Sequence, residues 1–549
     1  KAHFPAIPDQ AGMTVKGRVY CGKKAVADVV VSDGVIVTKT DKDGVYYLPS
    51  EKKMGYVFVS IPSGYNIESE AGYPAFPAMS QQLLNEDNEQ HDFALTEIPG
   101  GNTNHVMMVF TDLHLASKTP NTAGKYADID QYKNKFMPDI TAEMAQYANV
   151  YALCLGDITW DAFWYKTMNQ GPENMVEVRY QLPNYKDLMK NFPCPVFNVI
   201  GNHDNDPKVV GDYFTELPFK QHIAPTYYSF NIGKVHYVVM DDIDCSSYDG
   251  STSRNYVKSL SAEQLDWLAK DLSHVAKTTP IVVAMHAQVF YPTTSGFKID
   301  HDQVNTLRLF DILDGYTVRF VTGHTHKLFN VTPDAPIVDG HNFREYNSGS
   351  VCASWWWSGN LTPGIHIGTD GTPGGYGIWD VTGTDFQCLY KSTGWPEEYQ
   401  FRSYDLNNVS FSMDDVPNIP SNILIQLAYK KYVNAYPENS DNEVLIKIWN
   451  WNSNWELSVV DERGKTLEYT PVWAYDPLHI AALSVPRFNN SGITSTPSFV
   501  TESATNFFKV KADDADVDLT ITVKDEFGHT WTEEMQRPKA FSTDAYKLR

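Results

Sequence analysis

His324 and His326 follow a short apolar segment, residues 318–321, with one residue between them. In a strand or an extended strand end, residues i and i+2 point the same way, so both imidazoles can face one cavity. Imidazole is a common metal ligand, and this spacing predicts a metal site. Taken alone, the pattern also fits a surface pair or a hydrogen-bonded pair in a core.

Four further apolar segments end in residues suited to metal binding or proton transfer. They are residues 106–110 before Asp112 and His114, 150–155 before Asp157, 195–200 before Asn202, His203 and Asp204, and 280–285 before His286. Short apolar runs bounded by polar turns are typical of strands buried on both faces. Ligands in open α/β sheets gather beyond the carboxyl ends of such strands. We therefore expect the five strand ends to converge on one site.

Helical stretches alternate with these strands, which predicts an α/β layered fold. The clearest helix begins after Ser261, an N-cap residue with Gln264 three positions on, which is the pattern of a capping box. Apolar residues then recur on one helical face. Residues 132–147 and 302–313 are expected to form similar scaffold helices.

The order of the polar motifs resembles the calcineurin-like metallophosphoesterase superfamily. The motifs are Asp112-x-His114, Gly156-Asp157, Gly201-Asn202-His203-Asp204, His286 and Gly323-His324-x-His326. Their spacing is similar to that of the cyclic-nucleotide and glycerophosphodiester branches, over roughly residues 104–395. The resemblance implies a metal-dependent hydrolase of phosphate esters. It also implies an α/β fold, a four-layer αββα sandwich that holds two metal ions at its open edge.

The resemblance further implies a role for each motif residue. The first ion would be held by Asp112, His114, Asp157 and His326, and the second by Asp157, Asn202, His286 and His324. Asp157 is the expected bridge, because each of its two carboxylate oxygens can take a metal. His203 is expected to contact the phosphate or protonate the leaving group, and Asp204 to keep that imidazole oriented and cationic.

Two divalent metal ions about 3.5–4 Å apart lower the pKa of a bound water and stabilise charge on phosphoryl oxygens. We expect metal-bound hydroxide to attack phosphorus directly, without a covalent enzyme intermediate. Mixed ligands of this kind suit Mn²⁺, Fe²⁺ or Zn²⁺. Purple acid phosphatases place an iron-binding Tyr where this chain has Trp160, so we expect no tyrosinate-coloured iron centre. Asp161 beside it is expected to be structural or to support the ligands.

The motifs leave the substrate open. A phosphodiesterase is favoured, with a phosphomonoesterase of the same superfamily as the alternative. A third interpretation is an exported protein that binds a glycan or another partner through β-domains and retains a vestigial metal site. The complete ligand set and the pair His203 and Asp204 argue against that interpretation, because a binding protein has no use for a proton donor.

Composition narrows the range of partners. The 549 residues predict three domains. A net charge of −23 makes duplex nucleic acid an unlikely partner, whereas a small phosphate ester held by metal ions is compatible with it. No apolar run approaches the ~20 residues of a membrane-spanning helix. The six cysteines are scattered singly, which indicates neither a disulfide framework nor a zinc finger.

Short β-branched and aromatic runs separated by turns flank the central region. They predict an N-terminal β-sandwich over residues 1–98, similar to transthyretin-like or carboxypeptidase-regulatory domains. The catalytic domain is expected over residues 104–395 and an all-β C-terminal domain over residues 400–549. Such flanking domains favour an exported, periplasmic or cell-surface bacterial protein. The chain begins at Lys1 without an initiator Met. We therefore expect that a targeting segment was removed ahead of Lys1.

Tryptophans mark two places in the second half of the chain. Residues 355–357 are three consecutive tryptophans, which fit either a wall of the substrate pocket or a plug between the middle and C-terminal domains. Trp449, Trp451 and Trp455 are expected to pack within the C-terminal domain, with a sugar-binding platform as the less favoured alternative.

Overall fold

The computed structural model describes residues 3–84, 87–116, 128–160 and 181–548. Asp161, the expected structural neighbour of Trp160, lies outside the described residues. In sequence order, the described chain forms an N-terminal β unit, a central region with two mixed sheets, and a C-terminal region with two further sheets.

The described N-terminal strands form a six-stranded sheet, a four-stranded sheet and a hairpin. These strands are β1 Val15–Cys21, β2 Lys24–Ala25, β3 Val30–Ser32, β4 Val37–Lys39, β5 Val45–Leu48, β6 Tyr56–Val59, β7 Tyr65–Ile67, β8 Ser69–Glu70, β9 Tyr73–Pro77, β10 Ser80–Gln82, β11 Glu89–Gln90 and β12 Phe93–Glu97. Ile61 forms a β-bridge with Phe230 of the central region, and the Tyr227 hydroxyl donates to the Gly34 carbonyl at 2.7 Å. The N-terminal unit therefore shares one apolar core with the central region.

Two sheets form the scaffold of the central region. The central strands are β13 Asn104–Phe110, β14 Val150–Cys154, β15 Val196–Asn198, β16 Tyr228–Ile232, β17 Val235–Val239, β18 Ile243–Asp244, β19 Val257–Lys258, β20 Ile281–Ala284, β21 Phe290–Thr293, β22 Gly296–Ile299, β23 Val318–Thr322, β24 Phe329–Val331, β25 Phe343–Asn347, β26 Gly375–Thr382 and β27 Asp385–Ser392. One sheet has the order β15-β14-β13-β26-β27, and the other has the order β16-β17-β20-β23-β25-β24.

The five strands predicted ahead of the polar motifs are all present. In the first sheet β13, β14 and β15 are parallel, and in the second sheet β17, β20, β23 and β25 are parallel. Parallel strands bring their carboxyl ends to the same sheet edge. The two sheets pack through aromatic contacts, such as the Phe197 and Phe230 rings with centroids 3.6 Å apart. Three motifs therefore leave one sheet edge and two leave the other.

Helices lie in the connections between these strands. They are α1 Asp128–Gln131, α2 Met137–Met144, α3 Leu182–Leu188, α4 Asp212–His222, α5 Ala262–Leu272, α6 Gln303–Leu313 and α7 Trp357–Leu361, with a π-helical turn at Tyr132–Phe136. The expected helix at 132–147 is thus part π and part α. Ser261 caps α5 by accepting from the Gln264 N–H at 3.2 Å. The Gln264 side chain bonds to the backbone of Asp241, so only half of the predicted capping box forms.

The C-terminal region contains two four-stranded sheets and helices. Its elements are β28 Phe401–Asp405, α8 Ile423–Ala435, β29 Glu443–Ile448, β30 Glu456–Asp461, β31 Thr466–Leu467, β32 Tyr469–Ala474, α9 Pro477–His479, α10 Val485–Phe488, β33 Ala504–Lys511, β34 Leu519–Lys524 and β35 Thr530–Met535, with a π-helical turn at Ile480–Ser484. The expectation of an all-β domain over residues 400–549 is therefore wrong. Ile425, Tyr429 and Tyr432 are buried with helical spacing, a period that the strand patterns around it obscured.

All six cysteines are free thiols. Among the described residues, no helix combines the length and apolar character needed to cross a membrane.

Candidate metal centre

Every predicted metal ligand lies within a few residues of the carboxyl end of a central strand. Asp112 and His114 follow β13, Asp157 follows β14 and Asn202 follows β15, whereas His286 follows β20 and His324 and His326 follow β23. The side chains of these seven residues meet between the two sheet edges. Six of them form two groups of three, and Asp157 lies between the groups.

The first group consists of Asp112, His114 and His326. His114 Nε2 lies 3.3 Å from Asp112 Oδ1, His326 Nε2 lies 3.2 Å from the same oxygen, and the two Nε2 atoms are 3.2 Å apart. Asp112 Oδ2 accepts from the Thr111 hydroxyl at 2.6 Å and from the His324 N–H at 2.9 Å. Asp112 Oδ1 is buried and has no hydrogen-bond partner within the described chain. That oxygen is therefore available to a cation.

The second group consists of Asn202, His286 and His324. Asn202 Oδ1 lies 3.0 Å from His286 Nε2 and 3.1 Å from His324 Nδ1. The two imidazole nitrogens are 3.3 Å apart. His286 donates its Nδ1–H to the Leu155 carbonyl at 2.7 Å, which leaves Nε2 to face the group.

The Asp157 carboxylate joins the two groups. Its Oδ2 atom lies 3.5 Å from His114 Nε2 and 3.1 Å from His286 Nε2. Carboxylate and amide oxygens combined with imidazole nitrogens suit first-row divalent metals, and the orphaned Asp112 oxygen points to the same conclusion. The residues present therefore fit two divalent metal ions, which the two groups and the Asp157 carboxylate between them would hold.

Five of these residues have a left-handed backbone, namely Asp112, His114, Asp157, His324 and His326 with φ between 43° and 73°. Such conformations cost non-glycine residues on the order of 1 kcal/mol or more each, and they concentrate at functional sites. The sequence predicted that an extended backbone would turn His324 and His326 into one cavity. Both imidazoles do face one site, but the backbone is left-handed rather than extended; His326 joins the first group and His324 the second.

Glycines allow the ligand loops to approach closely. A Cβ atom on Gly201 would lie 2.4 Å from Asp157 Oδ1, and one on Gly323 would lie 2.2 Å from the Thr111 hydroxyl and 2.8 Å from Asp112 Oδ2. Those distances are shorter than van der Waals contact, so a larger residue at either position would displace a ligand.

Charge in the site is distributed unevenly. Burial lowers the pKa of His286, but the Asp157 and Asp112 carboxylates outweigh it and raise that pKa to about 10. Burial, followed by the effect of His286, lowers the pKa of His324 to about 4. Burial raises the pKa of Asp157, but the neighbouring imidazoles, led by His286, hold it below its usual value. The site thus favours a positive charge at His286 and a neutral imidazole at His324.

His203 lies at the edge of the first group. Its ring stands edge-on to His114 with centroids 4.9 Å apart. The backbone N–H of His203 donates to Asp157 Oδ1 at 2.8 Å. His203 Nδ1 is buried without a hydrogen-bond partner in the described chain. Burial lowers the pKa of His203 well below its usual value, opposed by Asp157 and reinforced by Arg254. This shift favours a neutral imidazole at His203, where a cationic one was expected.

Asp204 has a different role from the predicted one. Its carboxylate accepts from the N–H groups of Asp157 at 2.8 Å, Ile158 at 2.9 Å and Gly201 at 2.7 Å. Both oxygens are used by the backbone of two ligand loops, so Asp204 braces those loops. The expectation that Asp204 orients His203 is wrong, because both carboxylate oxygens bind these amides and His203 Nδ1 has no hydrogen-bond partner among the described residues.

Sequence reasoning missed three residues at the site, two of which come from one segment. Arg254 Nη1 donates to the Asn202 carbonyl at 2.9 Å, and the Tyr256 hydroxyl lies 3.5 Å from His324 Nε2. Both belong to an irregular polar segment between β18 and β19, which has no apolar periodicity or motif spacing to mark it. Arg254 supplies a cationic group beside His203 and Asp157.

A third missed residue is Cys352. Its Sγ atom lies 3.7 Å from His326 Nδ1, and it belongs with His114 and His326 to a group of possible metal-binding side chains. His326 Nδ1 donates to the carbonyls of Ala353 and Ser354, each at 2.9 Å. The thiol therefore lies beside His326 Nδ1.

The tryptophans at 355–357 divide between the two expected roles. Trp355 contacts His114 and Trp160, with centroids 5.0 and 5.5 Å away, and so forms a wall beside the first group. Trp357 packs against Phe499 of the C-terminal region at 6.0 Å. Trp355 therefore lines the site, and Trp357 packs between the central and C-terminal regions.

Trp449 and Trp455 are buried and Trp451 packs against Phe508, as expected for packing residues.

Three family models match the chain. The model described as calcineurin-like phosphoesterase matches residues 106–328, and the models of the N terminal and C terminal of calcineurin-like phosphoesterase match residues 13–98 and 345–531. Purple acid phosphatase 13 of Arabidopsis thaliana is 26% identical over 157 residues, which are 26% of this chain and 26% of that protein. The chain thus matches about a quarter of that relative's length.

Solved structures give fold likenesses at low identity. A dimetal phosphatase from Danio rerio is 13% identical over 53% of this chain and 96% of its own, with a TM-score of 0.35. A calcineurin-like phosphoesterase from Bacillus subtilis is 12% identical over 53% of this chain and 90% of its own, with a TM-score of 0.29.

Proposed function

We propose, since the chain belongs to the calcineurin-like phosphoesterases, that this hydrolase cleaves a small phosphate ester at the site between the two sheet edges and prefers diesters. The proposed ligands of two divalent metal ions are Asp112, His114, Asp157, Asn202, His286, His324 and His326. The observation that carries the proposal is the position of Asp157 Oδ2, which lies 3.5 Å from His114 Nε2 and 3.1 Å from His286 Nε2.

Two bound Mn²⁺, Fe²⁺ or Zn²⁺ ions would supply an activated water and neutralise charge on the phosphoryl oxygens. The protein's part is to hold the substrate between its own polar groups. Arg254 presents its guanidinium beside Asn202, where it can pair with a phosphoryl oxygen. Trp355 closes the side next to His114 and limits the access of water to that face.

His203 is the proposed proton donor to the leaving alkoxide. A phosphate ester brings negative charge beside the imidazole, which raises the pKa of that imidazole. The protonated His203 ring, which stands edge-on to His114 at the edge of the first group, then carries the proton for the leaving group. Transfer of that proton assists departure of the alkoxide. No side chain is needed as a nucleophile, so the chain forms no covalent intermediate.

A phosphomonoesterase is the second candidate, supported by the 26% identity to a plant purple acid phosphatase over 157 residues. Trp160 stands at the position of the iron-binding Tyr and stacks on His203, with centroids 6.3 Å apart, which favours an ordinary divalent pair. The preference for diesters rests on motif spacing. Export of the enzyme is part of this proposal, and cell fractionation tests it.

The deciding experiment uses protein stripped with a chelator and reloaded separately with Mn²⁺, Zn²⁺ and Fe²⁺. Hydrolysis of p-nitrophenyl phosphate and of bis-p-nitrophenyl phosphate is measured in parallel. Restoration of turnover by one metal supports the proposal, and the ratio of diester to monoester rates decides the subclass. Absence of turnover in protein that binds no metal ions would contradict the proposal.

A further inference from the structure

A buried hydrogen-bonded chain connects the C-terminal region to the loop beside His326. Ser484 Oγ lies 2.7 Å from Thr501 Oγ1, Thr501 Oγ1 lies 2.6 Å from His479 Nδ1, and His479 Nε2 lies 2.7 Å from Ser354 Oγ. The Ser354 hydroxyl also bonds to the Ile367 carbonyl at 2.9 Å. Ser354, His479, Ser484 and Thr501 have no exposed surface, so the chain is isolated from solvent.

Every group has a partner in the following proton arrangement. The Ser484 hydroxyl donates to Thr501, the Thr501 hydroxyl donates to His479 Nδ1, His479 Nε2–H donates to Ser354, and Ser354 donates to the Ile367 carbonyl. Burial lowers the pKa of His479 to about 3, so the ring is neutral and has one donor and one acceptor.

The end of this chain lies next to a proposed metal ligand. The Ser354 carbonyl accepts from His326 Nδ1–H at 2.9 Å, which fixes the tautomer that leaves His326 Nε2 facing Asp112 and His114. Partners that hold a ligand imidazole in this way tune its orientation and basicity. The Ser354 side chain, bonded to His479, holds this carbonyl in place.

We propose that His479 is a positioning residue for the metal centre, acting through Ser354 on His326. The inference rests on the ligand assignment of the proposed function. It gives the C-terminal region a specific task, because the imidazole that locks the ligand loop comes from residues 477–479, some 150 residues after His326 along the chain. Affinity for the ion held by His326 therefore depends on the packing of the C-terminal region.

A second contact from the same region supports this dependence. The Phe499 ring lies against the His326 ring with centroids 5.6 Å apart, two residues before Thr501. Phe499 has a left-handed φ of 56°, which costs energy for a side chain of this size. The segment that carries Thr501 is thus held against His326 in a strained conformation.

The test compares two amides at residue 479. In His479→Gln the amide reaches the position of Nε2 and retains the bond to Ser354. In His479→Asn it reaches the position of Nδ1 and retains the bond to Thr501 alone. Equilibrium dialysis with Mn²⁺ gives the number of ions bound and both dissociation constants, and thermal unfolding of metal-free protein reports the packing defect.

We expect His479→Asn to weaken binding of one of the two ions by about tenfold, while His479→Gln stays close to the unmodified protein. Ser354→Ala should match His479→Asn. The control is His529→Asn, whose side chain is 49% exposed in the same region.

Equal losses in both amide variants would overturn the inference, because packing alone would then explain them. Unchanged affinity in His479→Asn would also overturn it. If the residue 479 variants fail to fold, Ser354→Ala decides, and unchanged binding there overturns the inference. Failure of the proposed function looks different, because the unmodified protein would then bind no Mn²⁺.

Discussion

The Asp204 carboxylate accepts a hydrogen bond from the backbone N–H of Asp157 at 2.8 Å. The residue after the proposed proton donor therefore holds the loop of the proposed metal bridge. Burial, reinforced by the Asp157 charge, raises the pKa of Asp204 to about 7. Backbone amides of Asp157 and Gly201 thus hold the Asp204 carboxylate close to the Asp157 carboxylate.

Asp204→Asn should lower stability and weaken metal binding together. An amide has a single acceptor oxygen for three N–H donors, and each buried donor left without a partner costs about 1–3 kcal/mol. We expect a lower unfolding temperature and a higher Mn²⁺ dissociation constant, measured by thermal denaturation and dialysis. Asp206→Asn, at a half-buried turn where the carboxylate accepts from the Lys208 N–H, is the control. An unchanged unfolding temperature in Asp204→Asn would contradict the bracing role.

Asp157→Asn should abolish metal binding and activity together. The substitution removes the only carboxylate that reaches both imidazole groups within the described chain. Charge stabilisation by a metal pair contributes several kcal/mol, so turnover should fall by about 10³-fold or more. Metal content and hydrolysis are measured on the same preparation, with Asp266→Asn at an exposed position as the control. An active variant with two ions bound would refute the bridging assignment.

His203→Gln should separate metal binding from turnover. The glutamine amide preserves a polar side chain but cannot transfer the proton, and general acid catalysis contributes about 10²–10⁴-fold. We expect the variant to bind two ions and to hydrolyse an alkyl phosphate ester more slowly by that factor, because an alkoxide is a poor leaving group. An ester with a good leaving group, such as p-nitrophenolate, should be affected much less. Loss of a metal ion in this variant would show that His203 is a ligand.

Arg254→Gln should weaken productive binding of the phosphoryl group. A hydrogen bond to a charged group contributes about 1.5–3 kcal/mol, so kcat/KM should fall by about 10- to 100-fold. Competitive inhibition by inorganic phosphate should weaken in parallel, while metal content stays unchanged. Arg254→Lys should recover part of the loss, and Arg308→Gln, at an exposed ion pair, is the control. Wild-type phosphate inhibition in Arg254→Gln would exclude contact with the phosphoryl group.

Glu143→Gln should flatten the dependence of stability on pH. Burial, followed by a hydrogen bond to Glu397, raises the pKa of Glu143 from 4.5 to about 7. The folded protein then binds a proton that the unfolded chain has lost, so this stabilisation is present below about pH 4.5 and is lost as pH rises through about 7. Glutamine remains neutral throughout. The unfolding temperature of metal-free protein at pH 5 and pH 7.5 measures the change.

The control for this titration is Glu398→Gln, at a neighbouring exposed position. It should retain the pH dependence of the unmodified protein. If the unfolding temperature of Glu143→Gln falls between pH 5 and pH 7.5 by as much as that of the unmodified protein, another group is responsible for the pH dependence.

The residue types and their order along the chain were enough to predict the site. Continuous apolar runs mark buried parallel strands, and polar residues that follow them must lie at the sheet edges. That reasoning identified the seven side chains that the structure brings together, from Asp112 to His326. It also predicted the scaffold helix after Ser261, because capping and amphipathic spacing are local properties of the chain.

Only the tertiary structure decided how those side chains divide and what supports them. The left-handed backbone at His324 and His326 depends on contacts with other loops, so spacing alone predicted an extended backbone that is not present. The partners of Asp204 and the position of Arg254 depend on residues about 50 positions away. His479 lies about 150 positions from His326. Local patterns carry no record of such contacts, because only packing of distant segments brings them together.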